Sequence, residues 1–85
     1  MPMDFTTYEF VEGNTYAVDV EPGSDAVKVA HHGEGRVEPQ ESYGTLEYSG
    51  AVGSGPWRTF QDWETETEVT IDAHHILDVR ERTEL

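Results

Sequence analysis

The 85-residue chain contains no cysteine, which removes disulfide staples, thiolate zinc sites and a cysteine nucleophile from consideration. Positive charge is nearly as scarce. One lysine, Lys28, and four arginines, Arg36, Arg58, Arg80 and Arg82, face 18 Asp and Glu. A basic arm that wraps nucleic acid is therefore excluded. Leu, Ile, Val and Phe together make up 17 of the 85 residues, and nine of those are Val. One in five is the level at which strongly charged chains cease to fold reliably. No apolar run approaches the roughly 20 residues of a membrane-spanning helix, and the first residues lack the basic and apolar stretches of a secretory signal. These absences lead to an expectation of a cytoplasmic protein that does not enter a membrane. The length suits one small domain over residues 1–85 and leaves little room for a substrate cleft, so the reading leans away from an enzyme.

What is present begins with acid. The formal net charge is −13, and the carboxylates are spread along the chain (Asp4, Glu9, Asp19, Glu34, Glu47, Asp62, Asp72, Glu84) rather than gathered in a tail. Scattered acids, a single lysine and a preference for Val and Ala resemble the general character of proteins from extreme halophiles. At about 1 M salt the Debye length is ~3 Å, so self-repulsion between separated carboxylates is largely screened. The charge is read as adaptation to solvent rather than as a binding site.

Helical periodicity is absent, whereas short alternating segments bounded by turn residues recur. A first strand is predicted over Phe5 to Val11, with Tyr8 and Phe10 on one face. Thr15 to His32 reads as a β-hairpin around Pro22-Gly23-Ser24-Asp25. Its odd register pairs Val20 with Val27, Val18 with Val29 and Tyr16 with His31, and sets Asp19 opposite Lys28. A further strand carries Leu46 and Tyr48. Trp57 to Trp63 reads as a strand; a short helix capped by Ser54, with Pro56 in its first turn, is the alternative and would make the fold α+β. Val69 and Ile71 alternate with Glu68, Thr70 and Asp72, Ala73-His74-His75 interrupts, and the pattern resumes with Leu77 and Val79 inward. From Glu68 to Glu81 this resembles the closing β–3₁₀–β segment of SH3-like and Sm-like small barrels. The resemblance implies fold and no activity. The expected fold is all-β: a small barrel or sandwich of five to seven short antiparallel strands.

Four histidines stand in two pairs, His31-His32 and His74-His75. Histidine is the commonest nitrogen ligand of zinc, which takes three or four N/O donors. Strand neighbours point to opposite faces, so each pair can offer one ligand to a given side. A zinc or other divalent-cation site would need one histidine from each pair plus acids such as Glu34 or Asp72. The alternative leaves His31 and one of His74 and His75 half-buried at strand ends and the others solvated. Glu64, Glu66 and Glu68 read as an acidic strand ridge that protects an edge. Of the nine aromatics, Phe5, Phe10, Tyr16, Tyr48, Phe60 and one tryptophan are expected to build the core that aliphatic residues cannot. The other tryptophan and Tyr43 are expected to lie exposed beside Arg58. Trp57, Arg58, Trp63 and Tyr43 thus form the candidate partner-binding set. The favoured partner is another protein; single-stranded nucleic acid stacked on the same aromatics is the alternative, opposed by the net charge.

Overall fold

The computed structural model describes residues 5–23, 25–30 and 39–82. Among the described residues six strands form one antiparallel sheet: β1 (Thr15–Val20), β2 (Val27–Val29), β3 (Ser42–Ala51), β4 (Trp57–Asp62), β5 (Thr67–Asp72) and β6 (Ile76–Arg82). They are ordered β2-β5-β4-β3-β1-β6. Trp57 starts a strand, so the helical alternative for that segment does not occur. Among the described residues no helix is long and apolar enough to cross a membrane.

The sheet owes its roll to two bent segments lying side by side. β1 pairs with β6 from Thr15↔Arg82 to Val20↔Ile76. Beyond that, the Glu21 N–H donates to His75 O and the Asp72 N–H donates to Ala26 O. β2 then pairs with β5, Val27↔Ile71 and Val29↔Val69. The chain through β1 and β2 therefore runs antiparallel to the chain through β5 and β6, and both turn one corner. The second of these bends is the 3₁₀ turn Ala73–His75, with Asp72 as its cap accepting the His74 N–H. The β–3₁₀–β segment expected at the C-terminal end is thus present.

The same corner overturns the expected hairpin. β1 and β2 do not pair with each other; β1 lies between β3 and β6, and β2 borders β5. Alternation put Val18, Val20, Val27 and Val29 on one face, and that face is the inner one, but alternation fixes a face and not a neighbour. In place of a hairpin closure, the Glu21 N–H and the Ala26 carbonyl both bond to the corner. Asp19 accepts from Ser42 and Arg80, while Lys28 lies over the ring of Trp57.

Inside the roll, Tyr16, Val18, Val20, Leu46, Phe60, Val69, Ile71 and Ile76 form one cluster with Phe5, Tyr43 and Tyr48. Residues 5–11 are not a strand. A 3₁₀ turn at Phe5–Thr7 leads into an extended segment that caps this cluster. Phe10 reaches Tyr16 at 5.1 Å, Tyr48 at 5.2 Å and Phe60 at 5.3 Å between ring centroids. The Val11 N–H donates to the Tyr16 hydroxyl at 2.8 Å. Tyr8 and Phe10 point inward as expected, because a capping segment buries alternate residues without a ladder.

Two bulges decide which side chains face in. Tyr16 faces Leu46 and Val18 faces Tyr43, so Gly44 and Thr45 together oppose Ala17 and Tyr43 turns into the core. Between Asp19↔Asp78 and Val20↔Ile76, Leu77 is the extra residue. It is 57% exposed, against the expectation that it faces in; Ile76 takes the buried place.

Asp62 anchors the turn from β4 to β5. It is 2% exposed, and its Oδ1 accepts from Thr45 Oγ1 at 2.8 Å and from the Glu64 N–H at 3.0 Å. Its Oδ2 accepts from Thr65 Oγ1 at 3.1 Å. Glu64 and Glu66 belong to this turn, and only Glu68 lies on β5, so the expected acidic strand ridge is a turn with one strand residue. Asp62→Ala leaves the half-buried Thr45 hydroxyl and the Glu64 amide without their acceptor; it is expected to cost about 1–3 kcal/mol, or about 5 °C or more of thermal midpoint. Thermal unfolding followed by circular dichroism checks this, with Glu64→Ala as the exposed comparison.

Candidate functional site

Parity along β4 divides the expected binding residues between two sides. Phe60 and Asp62 point into the roll, so Trp57, Thr59 and Gln61 point out, and Trp63 follows on the outer side. The outer floor between the tryptophans is polar and short: Thr59 lies against Thr70 on β5, with 3.5 Å between hydroxyls, and Gln61 stands between Glu47 and Glu68. Trp63 lies six residue steps beyond Trp57, about 20 Å at ~3.3 Å per step of extended chain. They are two ends of one outer face and not a single aromatic cluster.

Each tryptophan has its own neighbour. The Lys28 ammonium sits 4.9 Å from the Trp57 ring centroid, within cation–π range, which spends the single lysine on covering one indole. Trp63 Nε1–H donates to Glu47 Oε1 at 3.1 Å; the ring is 56% exposed. One hydrogen bond thus holds the indole by its N–H while more than half of the residue stays open to solvent.

Arg58 and Tyr43 leave this face. Arg58 stands on the inner parity at the start of β4, and its guanidinium turns to the end of the roll. Nη1 donates to Gly55 O at 2.8 Å and Trp57 O at 3.2 Å, and Nη2 donates to Thr6 O at 3.1 Å. Tyr43, expected at the surface, is 4% exposed, because the Gly44–Thr45 bulge rotates it inward. Its hydroxyl accepts the Gln40 N–H at 2.9 Å. Burial pushes its phenol above the ordinary tyrosine range, partly offset by that amide.

The second histidine pair splits at the corner. His74 Nδ1 lies 3.2 Å from Asp72 Oδ1, and His75 Nδ1 lies 3.2 Å from Glu21 Oε2. His31 and His32 lie outside the described residues. Among the described residues no three His, Asp or Glu side chains converge as a metal set would require.

On the outer side of β1 and β6, Arg80 bridges Asp19 at 3.4 Å and also contacts Asp78. The Ser42 hydroxyl, donating at 2.8 Å, holds the Asp19 carboxyl below the ordinary range, with Arg80 acting in the same direction. This exposed network knits two facing carboxylates with one cation, a structural arrangement. Near the first 3₁₀ turn, a shallow pocket of about 270 Å³ is lined by Thr6, Ser54, Gly55, Pro56, Arg58 and His74. Nothing in the sequence signals it, because its walls come from three separate stretches of chain. No family model, curated protein or solved structure matches the chain.

Proposed function

We propose that this domain is a non-catalytic protein-interaction module of a salt-rich cytoplasm, and that it anchors its partner on the outer face of β4. The observation that carries the reading is Trp63: a large indole, 56% exposed, oriented by Glu47 on the same face as the Lys28-covered Trp57. Exposed tryptophans with restricted rotamers make strong anchors because they bury much area at little entropic cost. The low floor of Thr59, Thr70 and Gln61 lets an extended partner segment lie between them. Lys28 and Glu47 at the two ends give that partner a charge order. At molar salt such charges act only at contact distance, so apolar anchoring carries the affinity.

The test is quantitative co-purification at molar KCl, using the full chain as bait. Trp63→Ala is expected to deplete a specific partner by roughly thirtyfold in affinity, the hot-spot level of about 2 kcal/mol. Trp57→Ala is expected to do less, since Lys28 already covers that ring, and Leu77→Ala, on another face, is expected to change nothing. Unchanged recovery with both tryptophan variants sinks the reading. Depletion of single-stranded RNA instead of protein would transfer the face to the nucleic-acid alternative.

A further inference from the structure

We propose that the pocket beside the first 3₁₀ turn binds a small phosphate-type oxyanion through Arg58, a role separate from the tryptophan face. The pocket opens at the end of the roll, where the first 3₁₀ turn approaches the second. The Ala73 N–H bonded to Pro56 O ties the β3–β4 loop to the corner.

Arg58 is the reason to assign an anion. Its three hydrogen bonds go to the neutral carbonyls of Gly55, Trp57 and Thr6. These use three of the five guanidinium N–H groups and fix the plane of the head group. Among the described residues no carboxylate pairs with it, whereas Arg80 sits between two. Carboxylates outnumber cations 18 to 5 in this chain, and Arg58 is half-buried. Arg82 also bonds a carbonyl, Gly44 O, but it lies exposed on the edge strand β6. A fixed guanidinium with donors to spare at a concave surface is suited to a planar or tetrahedral oxyanion.

The walls agree in chemistry and size. Ser54 and Thr6 supply hydroxyl-bearing side chains, and His74 closes the far side. Asp72, which caps the turn that carries His74, is already engaged by it through the backbone N–H at 2.9 Å and Nδ1 at 3.2 Å. A volume of about 270 Å³ is more than a bare oxyanion fills. A phosphate monoester with a small organic group fits that room. The net charge of −13 repels anions at long range, but at about 1 M salt the ~3 Å Debye length leaves only contacting groups effective.

The experiment is an amide NMR titration of the full chain at molar KCl with inorganic phosphate, phenyl phosphate and acetate in turn. Saturable shifts are expected at Gly55, Arg58 and His74 with both phosphates, and weaker ones with acetate. Arg58→Gln is expected to weaken binding about tenfold or more. Because Arg58 also ties loops together, Ser54→Glu is the second variant: it sits on an exposed loop and places a carboxylate in the pocket, so binding should vanish while the spectrum stays folded. Tighter phenyl phosphate than inorganic phosphate supports a monoester ligand; equal affinity supports the free ion. No saturable shift at these residues, acetate as tight as phosphate, or undiminished binding in Ser54→Glu overturns the proposal.

Discussion

Phe60→Ala is expected to unfold most of the population in dilute buffer and to lower the urea midpoint steeply in molar KCl. Phe60 is 0% exposed on β4, which lies between β3 and β5. Its ring meets Phe10 edge-on at 5.3 Å and Tyr48 at 5.4 Å. Truncating a buried phenylalanine removes about 3–5 kcal/mol, and the lost edge-to-face geometry belongs to that loss. Domains hold about 0.05–0.15 kcal/mol per residue, so a chain this short has roughly 4–13 kcal/mol in total. A core drawn from so few aliphatic residues places it at the lower end, where one ring is a large share. Tryptophan fluorescence during urea unfolding measures the effect. Leu77→Ala serves as the surface comparison, expected to stay within about 0.5 kcal/mol of the parent. If the two variants shift the midpoint equally, the ring cluster is not what holds the fold.

This dependence on rings explains how a composition at the margin of disorder still folds. Phe5, Tyr16, Tyr48 and Phe60 are buried, with Tyr8 and Phe10 packed against them. Each supplies more area than the valine it substitutes for, and Tyr16 keeps its hydroxyl satisfied by the Val11 N–H. Among the described residues no buried side-chain polar atom lacks a partner. The few buried polar groups, Asp62 chief among them, therefore add specificity without an unsatisfied charge or hydroxyl.

The strands themselves were legible because period-two alternation survives in short segments. Val69 with Ile71 and the interrupted tail were read from it; Trp57 to Trp63, read as a strand with a short helix as the alternative, is a strand over Trp57–Asp62. Pairing was not legible, since Val27 and Val29 satisfy alternation against any inner-facing strand, and only the corner at Ala73–His75 selects β5. Bulges were invisible for a related reason: an inserted residue such as Leu77, or the Gly44–Thr45 pair, shifts parity without any composition signal. That hid the burial of Tyr43 and with it part of the expected surface set. Parity along β4 sets Trp57 and Trp63 on one outer face, against the expectation that one of them helps build the core, and it removes Arg58 from that face once β4 has an inside. The roles of Asp62 and of the Arg58 pocket were out of reach, because both depend on contacts between distant stretches of chain.

The second large effect concerns salt. Stability is expected to rise strongly from dilute buffer to molar KCl, with most of the gain at the low end of the range. Two unit charges about 10 Å apart in water repel by about 0.4 kcal/mol, and a chain at −13 contains many such pairs. The fold creates some of them, as where Glu47 and Glu68 flank Gln61; where Asp19 faces Asp78 across β1 and β6, Arg80 offsets the repulsion. The unfolded chain repels itself less because its charges lie farther apart. Screening tightens quickly, from a Debye length of ~30 Å at 0.01 M to ~10 Å at 0.1 M, so an electrostatic cause predicts a curve that flattens before molar salt. A cause in strengthened apolar burial predicts a continued rise, which sulfate would exaggerate. Glu64→Lys with Glu68→Lys separates the two. Both sites are exposed, each replacement moves the net charge two units towards neutrality, and neither touches the core. Urea midpoints of this double variant should exceed the parent's in dilute buffer and converge with them at molar KCl. Equal parental midpoints in water and molar KCl would sink the proposed salt adaptation, and a double variant no better than the parent in dilute buffer would move its cause from charge to burial.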